Sequence, residues 1–509
     1  MNKSILIKNE YPTLFLIIFL GTALRFILLP TTVWFGDPAR DLLVTQHMVL
    51  YHEIPHIGHV ASGLNPVFYY PPLYYYLLAV IQLVSTNIWY VLSVFVVLNI
   101  LGIVAFYLIG KELSNPLGAL IATTLFTFSP YYLNSQTTLT SMHFSLPFFL
   151  TGTFFYLRGI QKRKFVYVLL GLFFIVIAAV INYAALILIP AFILWTIIRF
   201  RHDLIKPILL ILFVYTLLIG IFSSFAAYII SHYGVNTLFR SFYPLNNITL
   251  NHDFVSNFVR EYRRLLSTIF PGFSVYLMLL MPLAIVLLFF SNVRKKLFSF
   301  GYLLSFIVLT LCLSSIKAGT IDSYYYYLIA PFIFLLIGMS VAFSWGMVRP
   351  LLVSIIVLSL SVLATLQNMP TVFRRSNSYR NTERVVDSIL SELAFIRQHG
   401  YKNVLFMPVV LSEKNADWES TAYYYFFERK LGKLVRVYDY YNNLQWIGGD
   451  DYIVMICLTG DKTTLFWCNR YFLYTYPNFT FVKYLVTPSN YPVELFKNNS
   501  EEILKTPPE

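Results

Sequence analysis

Long runs of apolar residues alternate with short polar segments over the first 370 positions of the chain. Eleven runs are long enough to predict helices that cross a membrane, because the hydrocarbon core of a bilayer needs about 20 apolar residues in helical form. A twelfth stretch, 72–84, has only 13 residues, which predicts a shallow or re-entrant segment. The eleven runs lie at about 11–30, 88–110, 116–133, 139–157, 165–181, 184–200, 207–230, 273–291, 300–316, 325–345 and 350–369.

The pattern changes after residue 369. Residues 381–399 carry apolar side chains at helical spacing and are followed by Gly400, which predicts a helix. Three short apolar runs, 403–408, 435–438 and 452–458, predict strands. The fold class that we predict is therefore an all-α polytopic membrane domain over 1–369, with about 11–13 transmembrane helices, and a C-terminal soluble α/β domain over 370–509.

Composition and charge exclude several classes of protein. The 509 residues are 58% hydrophobic and only 12% charged, against about 25% charged in soluble chains. This excludes a cytosolic enzyme, a disordered chain and a small disulfide-stapled domain. Residues 1–369 hold 21 basic and 9 acidic residues, and residues 370–509 hold 16 and 15. The net charge of +13 therefore belongs mostly to loops of the membrane part, and no nucleic-acid partner is expected.

Basic clusters in the loops predict the orientation, because cytoplasmic loops are enriched in Lys and Arg. The basic N-terminus and the clusters at 158–164, 199–201 and 292–296 are assigned to the cytoplasm. With 72–84 not crossing, eleven crossings remain. The loops 31–71, 231–272 and 317–324 and the domain 370–509 then lie outside. We predict a multi-pass protein of the plasma (inner) membrane with a cytoplasmic N-terminus.

Short motifs at corresponding positions carry a family resemblance. The first span ends in an aromatic-Gly-Asp turn, a basic residue follows, and PPLYYYLLA comes some thirty residues later. The pattern resembles the GT-C membrane glycosyltransferases, in particular the protein-mannosyltransferase-like and aminoarabinose-transferase-like branch. Four further motifs carry this resemblance: Lys111–Leu113, Ser129–Pro130, Lys317 and the Tyr-Leu-x-x-Pro segment Tyr327–Pro331.

The resemblance implies an inverting glycosyltransferase that moves a hexose or pentose from a polyprenyl-phosphate donor. The acceptor would be a glycan, lipid or protein at the outer face of the membrane. A transporter or flippase for lipid-linked saccharide is an alternative, as is a polymerase or ligase of surface polysaccharide. Spans that are almost free of charge favour the enzyme over the transporter, because transporters place ionisable residues within their spans.

Two carboxylates in the first external loop are the predicted catalytic residues. Asp37 precedes Pro38, which suits the N-cap of a helix over 38–51, and Asp41 follows one turn later. We predict that Asp37 is a general base and that Asp41 orients the acceptor. A helix cap and a salt bridge to Arg40 are the alternative roles. A divalent cation held by the pair is less favoured, and no other metal site or cofactor is predicted.

External cations near the membrane surface are the predicted ligands of the donor phosphate. Arg260, Arg263 and Arg264 precede the span at 273, and Lys317 occupies the position that the resemblance implies. Arg260 and Arg264 share one helix face, and arginine suits bidentate contact with phosphate. Anchoring to lipid headgroups is the alternative for the arginines, and a simple flanking charge is the alternative for Lys317.

The predicted contacts to the sugar or acceptor are polar and aromatic side chains of the outer loops and helix ends. Tyrosines at these positions can stack on a sugar, or they can belong to the aromatic belt of the membrane interface. An asparagine can hydrogen-bond a sugar hydroxyl. These candidates are Arg40, Tyr74, Asn182 and Tyr325.

Overall fold

The computed structural model describes most of the first 373 residues and isolated parts of the remainder. The chain divides into two compact units: unit 1 comprises residues 1–29 and 48–373, and unit 2 comprises residues 30–47 and 374–509. The described ranges are 10–34, 36–52, 54–58, 60–61, 68–203, 205–233, 254–290, 297–316, 326–345, 348–373, 379–398, 404–407, 426, 429–430, 452–456, 479–485 and 493–498.

Helices dominate the described chain and are numbered here in chain order. They are α1 Glu10–Leu28, α2 Gly36–Tyr51, α3 Leu73–Val84, α4 Ile88–Leu113, α5 Pro116–Phe128, α6 Pro130–Thr137, α7 Ser141–Lys162, α8 Phe165–Ile181, α9 Ile189–Arg199, α10 Ile205–Tyr233, α11 Phe254–Ile269, α12 Ser274–Phe290, α13 Leu297–Ile316, α14 Ala330–Ser344, α15 Val348–Phe373 and α16 Tyr379–Gln398. Short 3-10 helices occupy Leu29–Thr31 and Tyr183–Leu188. A small antiparallel pair, β1 Val60–Ala61 and β2 Phe68–Tyr69, lies between α2 and α3.

Each of the eleven apolar runs contains a helix, but prolines divide two of them. The run at 116–133 breaks after Phe128, where Pro130 begins α6. The run at 184–200 consists of a 3-10 helix and then α9, with Pro190 in its first turn. Proline has no backbone N–H and is favoured in the first turn of a helix, so each break coincides with the start of a new helix. Prolines are also found inside helices of this chain, at Pro147 of α7, Pro282 of α12 and Pro370 of α15.

Spanning length is clear for a subset of the described helices. Four helices (α1, α4, α10 and α15) are each long and apolar enough to cross a membrane, and the bent pair α11–α12 would make a fifth. The 12 residues of α3 rise only about 18 Å, which is short of a bilayer core. The predicted number of eleven crossings stays a prediction.

Glycines bring the helices of unit 1 into close contact. A Cβ on Gly171 of α8 would lie 2.7 Å from the carbonyl oxygen of Gly152 on α7, so only glycine permits this crossing. Gly338 of α14 and Gly118 of α5 meet in the same way. Small residues at crossings are typical of helices packed in membranes. All fifteen residues of α14 are buried, so this helix lies at the centre of unit 1.

The described part of the C-terminal segment contains α16 and four strands. The strands are β3 Val404–Met407, β4 Tyr452–Ile456, β5 Phe479–Leu485 and β6 Val493–Asn498. They form one sheet in the order β3-β4-β6-β5, with a parallel β3–β4 pair and antiparallel pairs elsewhere. The predicted helix and two of the three predicted strands coincide with α16, β3 and β4. The third, 435–438, lies outside the described residues, and a soluble external α/β domain stays a prediction.

Candidate functional site

Asp37, Arg40 and Asp41 form an ion-paired cluster on α2, within unit 2. Arg40 Nη1 lies 2.8 Å from Asp37 Oδ1, and Arg40 Nη2 lies 2.7 Å from Asp41 Oδ1. The Asp41 side chain is 1% exposed, whereas that of Asp37 is 29% exposed. Arg40 therefore holds both carboxylates, and Asp37 is the one that solvent reaches.

Asp37 is predicted to be the N-cap of α2, but the helix begins before it. The helix begins at Gly36, two residues before the predicted start, and it ends at Tyr51 as predicted. Asp37 therefore lies in the first turn and not at the N-cap. A carboxylate in the first turn still interacts favourably with the positive end of the helix dipole.

The three arginines of α11 differ in exposure. The buried face of α11 carries Asn257, Glu261 and Leu265, spaced one turn apart. Arg260 and Arg263 are exposed, whereas Arg264 is half-buried. After α11 the chain turns by 110° into α12, as expected of an amphipathic helix that lies along a membrane surface before a span.

Glu261 and Tyr326 connect α11 to the turn that precedes the central helix α14. The hydroxyl of Tyr326 donates a hydrogen bond to Glu261 Oε2, and Arg260 Nε lies 3.4 Å from Glu261 Oε1. Both Glu261 and Tyr326 have no exposed surface. The charges of Arg264 and Arg260 also act on the Tyr326 hydroxyl. We call these four residues the Tyr326 cluster.

Arg264 contributes a half-buried positive group with one buried nitrogen to this cluster. Its Nη1 atom is buried and has no hydrogen-bond partner among the described residues. Glu261 lies one turn away, but its two oxygens accept from Tyr326 and Arg260. A buried, unpaired guanidinium N–H is costly unless an anion or acceptor satisfies it. The Tyr326 cluster can therefore bind an anion at Arg264.

Tyr327 extends the polar region to the other side of the turn. Its backbone oxygen accepts a hydrogen bond of 2.5 Å from the Tyr132 hydroxyl, and its own hydroxyl is buried without a partner among the described residues. The ring of His143 contacts that of Tyr327, with 4.7 Å between centroids. His143 Nδ1 lies 2.8 Å from the carbonyl oxygen of Thr138. In the neutral ring that bond leaves Nε2 as an acceptor.

Arg25 is the one charged residue predicted to lie well within a span, and it is fully buried. Its guanidinium donates to Gln136 Oε1, to the carbonyl oxygen of Gly21 at 2.8 Å and to that of Thr127 at 3.1 Å. These bonds tie α1 to α5 and α6. The side chain is thus supplied with neutral acceptors and has a structural part in unit 1.

The structure describes two of the other predicted ligand contacts, Tyr74 and Asn182. Tyr74 is buried, with its ring against those of Tyr75 and Phe144. Asn182 is also buried: its Oδ1 accepts from the backbone N–H of Ala184, and its Nδ2 lies 3.4 Å from Ser141 Oγ. The observed role of Asn182 is thus a cap of the 3-10 helix. Lys317 and Tyr325 lie outside the described residues.

Several residues of this region were missed by the sequence analysis, although signals for them exist. Asn257 and Glu261 lie on the apolar face of the amphipathic helix α11. A polar residue at such a position is expected to be buried and to have a polar partner. Gln136 lies in the polar helix α6, which begins at Pro130 of the Ser-Pro motif. Among the described residues no group of three or more His, Cys, Asp or Glu could hold a metal ion.

Comparison with known proteins identifies the fold. Residues 70–228 match the family described as dolichyl-phosphate-mannose-protein mannosyltransferase. The chain is similar to the crystal structure of ArnT from Cupriavidus metallidurans bound to undecaprenyl phosphate, with a TM-score of 0.58 and 11% identity over 97% of this chain and 99% of that one. The apo state of the same ArnT gives a TM-score of 0.58 and 11% identity over 94% and 97%.

A weaker similarity is to the apo oligosaccharyltransferase of Archaeoglobus fulgidus, with a TM-score of 0.48 and 11% identity over 81% of this chain and 64% of that one. No curated protein matches the chain in sequence. The predicted resemblance to GT-C membrane glycosyltransferases is thus confirmed at the level of the fold, and the chain is a multi-pass membrane protein.

Proposed function

We propose that this protein is an inverting glycosyltransferase that takes a sugar from a polyprenyl-phosphate donor. In the proposed reaction an acceptor hydroxyl at the outer face of the membrane attacks the anomeric carbon, and the bond from that carbon to the phosphate oxygen breaks. The ArnT structure of the same fold contains undecaprenyl phosphate, which supports a lipid phosphate as the donor's carrier.

The observation that carries this proposal is the buried, unpaired Nη1 of Arg264 in the Tyr326 cluster. The donor is a phosphodiester with one negative charge, and the released polyprenyl phosphate is a monoester that carries up to two. A fixed guanidinium therefore interacts more strongly with the leaving group than with the donor. That difference is what lowers the barrier of the transfer.

The remaining candidates have complementary roles in this proposal. Asp37, partly exposed and held by Arg40, accepts the proton of the acceptor hydroxyl. Asp41, predicted to orient the acceptor, is buried beside Arg40 and in this proposal orients the acceptor through Arg40. Arg260 shares the α11 face with Arg264 and adds positive potential. Lys317 and Tyr325 stay predictions for the phosphate and the sugar, respectively.

The experiment uses the full chain in lipid nanodiscs and compares Arg264→Ala with Arg263→Ala. Both substitutions remove one arginine from the same helix, but only Arg264 is turned toward the Tyr326 cluster. We expect Arg264→Ala to weaken the binding of undecaprenyl phosphate. It should also lower the consumption of undecaprenyl-phosphate sugars by about 100-fold to 1,000-fold. Arg263 is also a predicted phosphate ligand, but its side chain is exposed on α11, so we expect Arg263→Ala to leave both measurements close to those of the unchanged protein.

Three outcomes would contradict the proposal or a part of it. If a panel of polyprenyl-phosphate sugars is not consumed by the unchanged protein in membranes that contain its acceptors, the reaction is wrong. If a labelled lipid-linked saccharide changes leaflet in proteoliposomes without any cleavage of the sugar–phosphate bond, the protein is instead a flippase. Equal losses in Arg264→Ala and Arg263→Ala would remove the phosphate role of Arg264.

A further inference from the structure

Three aromatic rings of unit 2 come from distant parts of the chain and contact one another. The rings of Trp34 and Tyr379 lie 5.1 Å apart edge to face, those of Trp34 and Phe426 lie 5.6 Å apart, and those of Tyr379 and Phe426 lie 4.8 Å apart. None of the three side chains is more than 2% exposed. We call this group the aromatic clamp.

A backbone hydrogen bond and two ion pairs reinforce the clamp. The N–H of Tyr379, the first residue of α16, donates to the carbonyl oxygen of Thr32 at 2.9 Å. Lys430 Nζ lies 2.6 Å from Asp387 Oδ1 and 3.6 Å from Glu383 Oε1, so Lys430 is tied to α16. The C-terminal segment thus fixes residues 32–34 through both backbone and side chains.

The fixed residues lead directly into the ion-paired carboxylate cluster. Trp34 lies three residues before Asp37 in the chain. Residues 30–47 belong to the same compact unit as residues 374–509. The face of α2 that carries Ala39 and Leu42 is buried as well.

We propose that Trp34, Tyr379 and Phe426 are positioning residues, through which the C-terminal segment sets the place of Asp37 on α2. This inference rests on the proposed function for the role of Asp37. It gives the C-terminal segment a part in positioning a catalytic residue. An error of about 1 Å in the position of a reacting group can cost about 100-fold in rate.

The test compares Trp34→Ala with Trp34→Phe in the full chain in nanodiscs. Loss of the ring should lower the protection of α2 amides against hydrogen exchange and reduce kcat for donor consumption by about 100-fold. The binding of undecaprenyl phosphate should be unchanged, since it is assigned to unit 1. Trp34→Phe keeps an aromatic ring and should restore most of the kcat. The control is Trp345→Ala, which removes an exposed tryptophan of unit 1.

A double variant separates positioning from general destabilisation. If the clamp acts through Asp37, then adding Trp34→Ala to Asp37→Asn should cause no further loss of kcat. Additive losses, with lipid binding reduced in parallel, would overturn the inference. If Trp34→Ala does not fold, Phe426→Leu replaces it in these measurements, because leucine removes one ring of the clamp but keeps an apolar side chain.

The exchange measurement does not depend on catalysis. If the unchanged protein consumes no donor, the proposed function fails, while exchange in α2 still reports whether the clamp orders that helix. If donor is consumed but Trp34→Ala alters neither α2 exchange nor kcat, the clamp inference alone is wrong.

Discussion

The hydroxyl of Tyr326 donates a hydrogen bond to the carboxylate of Glu261, 65 residues earlier in the chain. This bond fixes α11 against the turn before the central helix α14. It also occupies one oxygen of the carboxylate that would otherwise be available to Arg264. The Tyr326–Glu261 hydrogen bond therefore both packs unit 1 and leaves the Arg264 guanidinium available to bind an anion.

Removing this hydroxyl should destabilise unit 1. Tyr326→Phe leaves a buried carboxylate oxygen without its donor, which we expect to cost about 1–3 kcal/mol in the free energy of unfolding. Adding Glu261→Gln should recover part of the loss, because a neutral amide is less costly to bury than a carboxylate. Thermal unfolding in detergent measures both. Tyr276→Phe, at an exposed tyrosine of α12, is the matched control and should have no effect. Additive losses would show that the two side chains are not coupled.

The sequence predicts the helices of unit 1 well because apolar periodicity and length are local properties. It also places Asp37, Arg40 and Asp41 on one helix, since their spacing alone puts them on adjacent turns. It does not predict that Tyr326 meets Glu261, or that Trp34 meets Tyr379, because pairings between distant residues depend on helix packing. Arg263 and Arg264 are adjacent in the sequence, and only the packing of α11 distinguishes them.

Arg25 should be more important as a hydrogen-bond donor than as a charge. Gln136→Leu removes an acceptor from a buried guanidinium and should destabilise the protein by about 1–3 kcal/mol. Arg25→Met together with Gln136→Leu should cost less than the sum of the single changes, because neither side chain of the pair then leaves the other buried without its partner. Apparent unfolding midpoints in detergent test this order. A double variant as unstable as that sum would mean that Arg25 has a role beyond these bonds.

The crossing of α7 and α8 should not tolerate a side chain at Gly171. Gly171→Ala brings a Cβ within 2.7 Å of the Gly152 carbonyl oxygen, so the helices must separate, at a cost of about 1–3 kcal/mol. Gly220→Ala on α10 is the control, because no atom lies within 4 Å of the added Cβ. That change should be neutral or slightly stabilising, since alanine favours helix. Similar unfolding midpoints for the two variants would contradict the close approach.

The C-terminal segment should lie outside the cytoplasm. Of two reporter fusions, one at position 420, outside the described residues, should report an external location. The other, at His202 beside the predicted cytoplasmic cluster 199–201, should report a cytoplasmic one. Reporters that are active on opposite sides of the membrane are fused at both positions. Each reporter then has one position where it should be active, which controls for expression. A cytoplasmic signal at 420 would reverse the predicted orientation and remove the outer face as the place of transfer.

Asp37→Asn is the change that tests the catalytic base. An acceptor hydroxyl has a pKa far above neutrality, so its attack on the anomeric carbon is assisted by transfer of the proton as the bond forms. Asparagine keeps the size of the side chain and an oxygen that can accept from Arg40 Nη1, but it cannot take up a proton. We expect turnover to fall by about 100-fold or more, with undecaprenyl phosphate binding and the unfolding midpoint retained.

Comparison with Asp41→Asn makes this result specific. Asp41 is buried against Arg40, so its loss should lower both the unfolding midpoint and turnover, because a guanidinium loses its buried partner. Asp203→Asn, at a half-exposed ion pair with Lys206, should change neither. If Asp37→Asn retains near-normal transfer while Asp41→Asn abolishes it without loss of stability, the base is Asp41, and the solvent-exposed position of Asp37 has no catalytic meaning. The exposures of the two carboxylates favour the opposite result, because a base must reach the acceptor hydroxyl and only Asp37 is open to solvent.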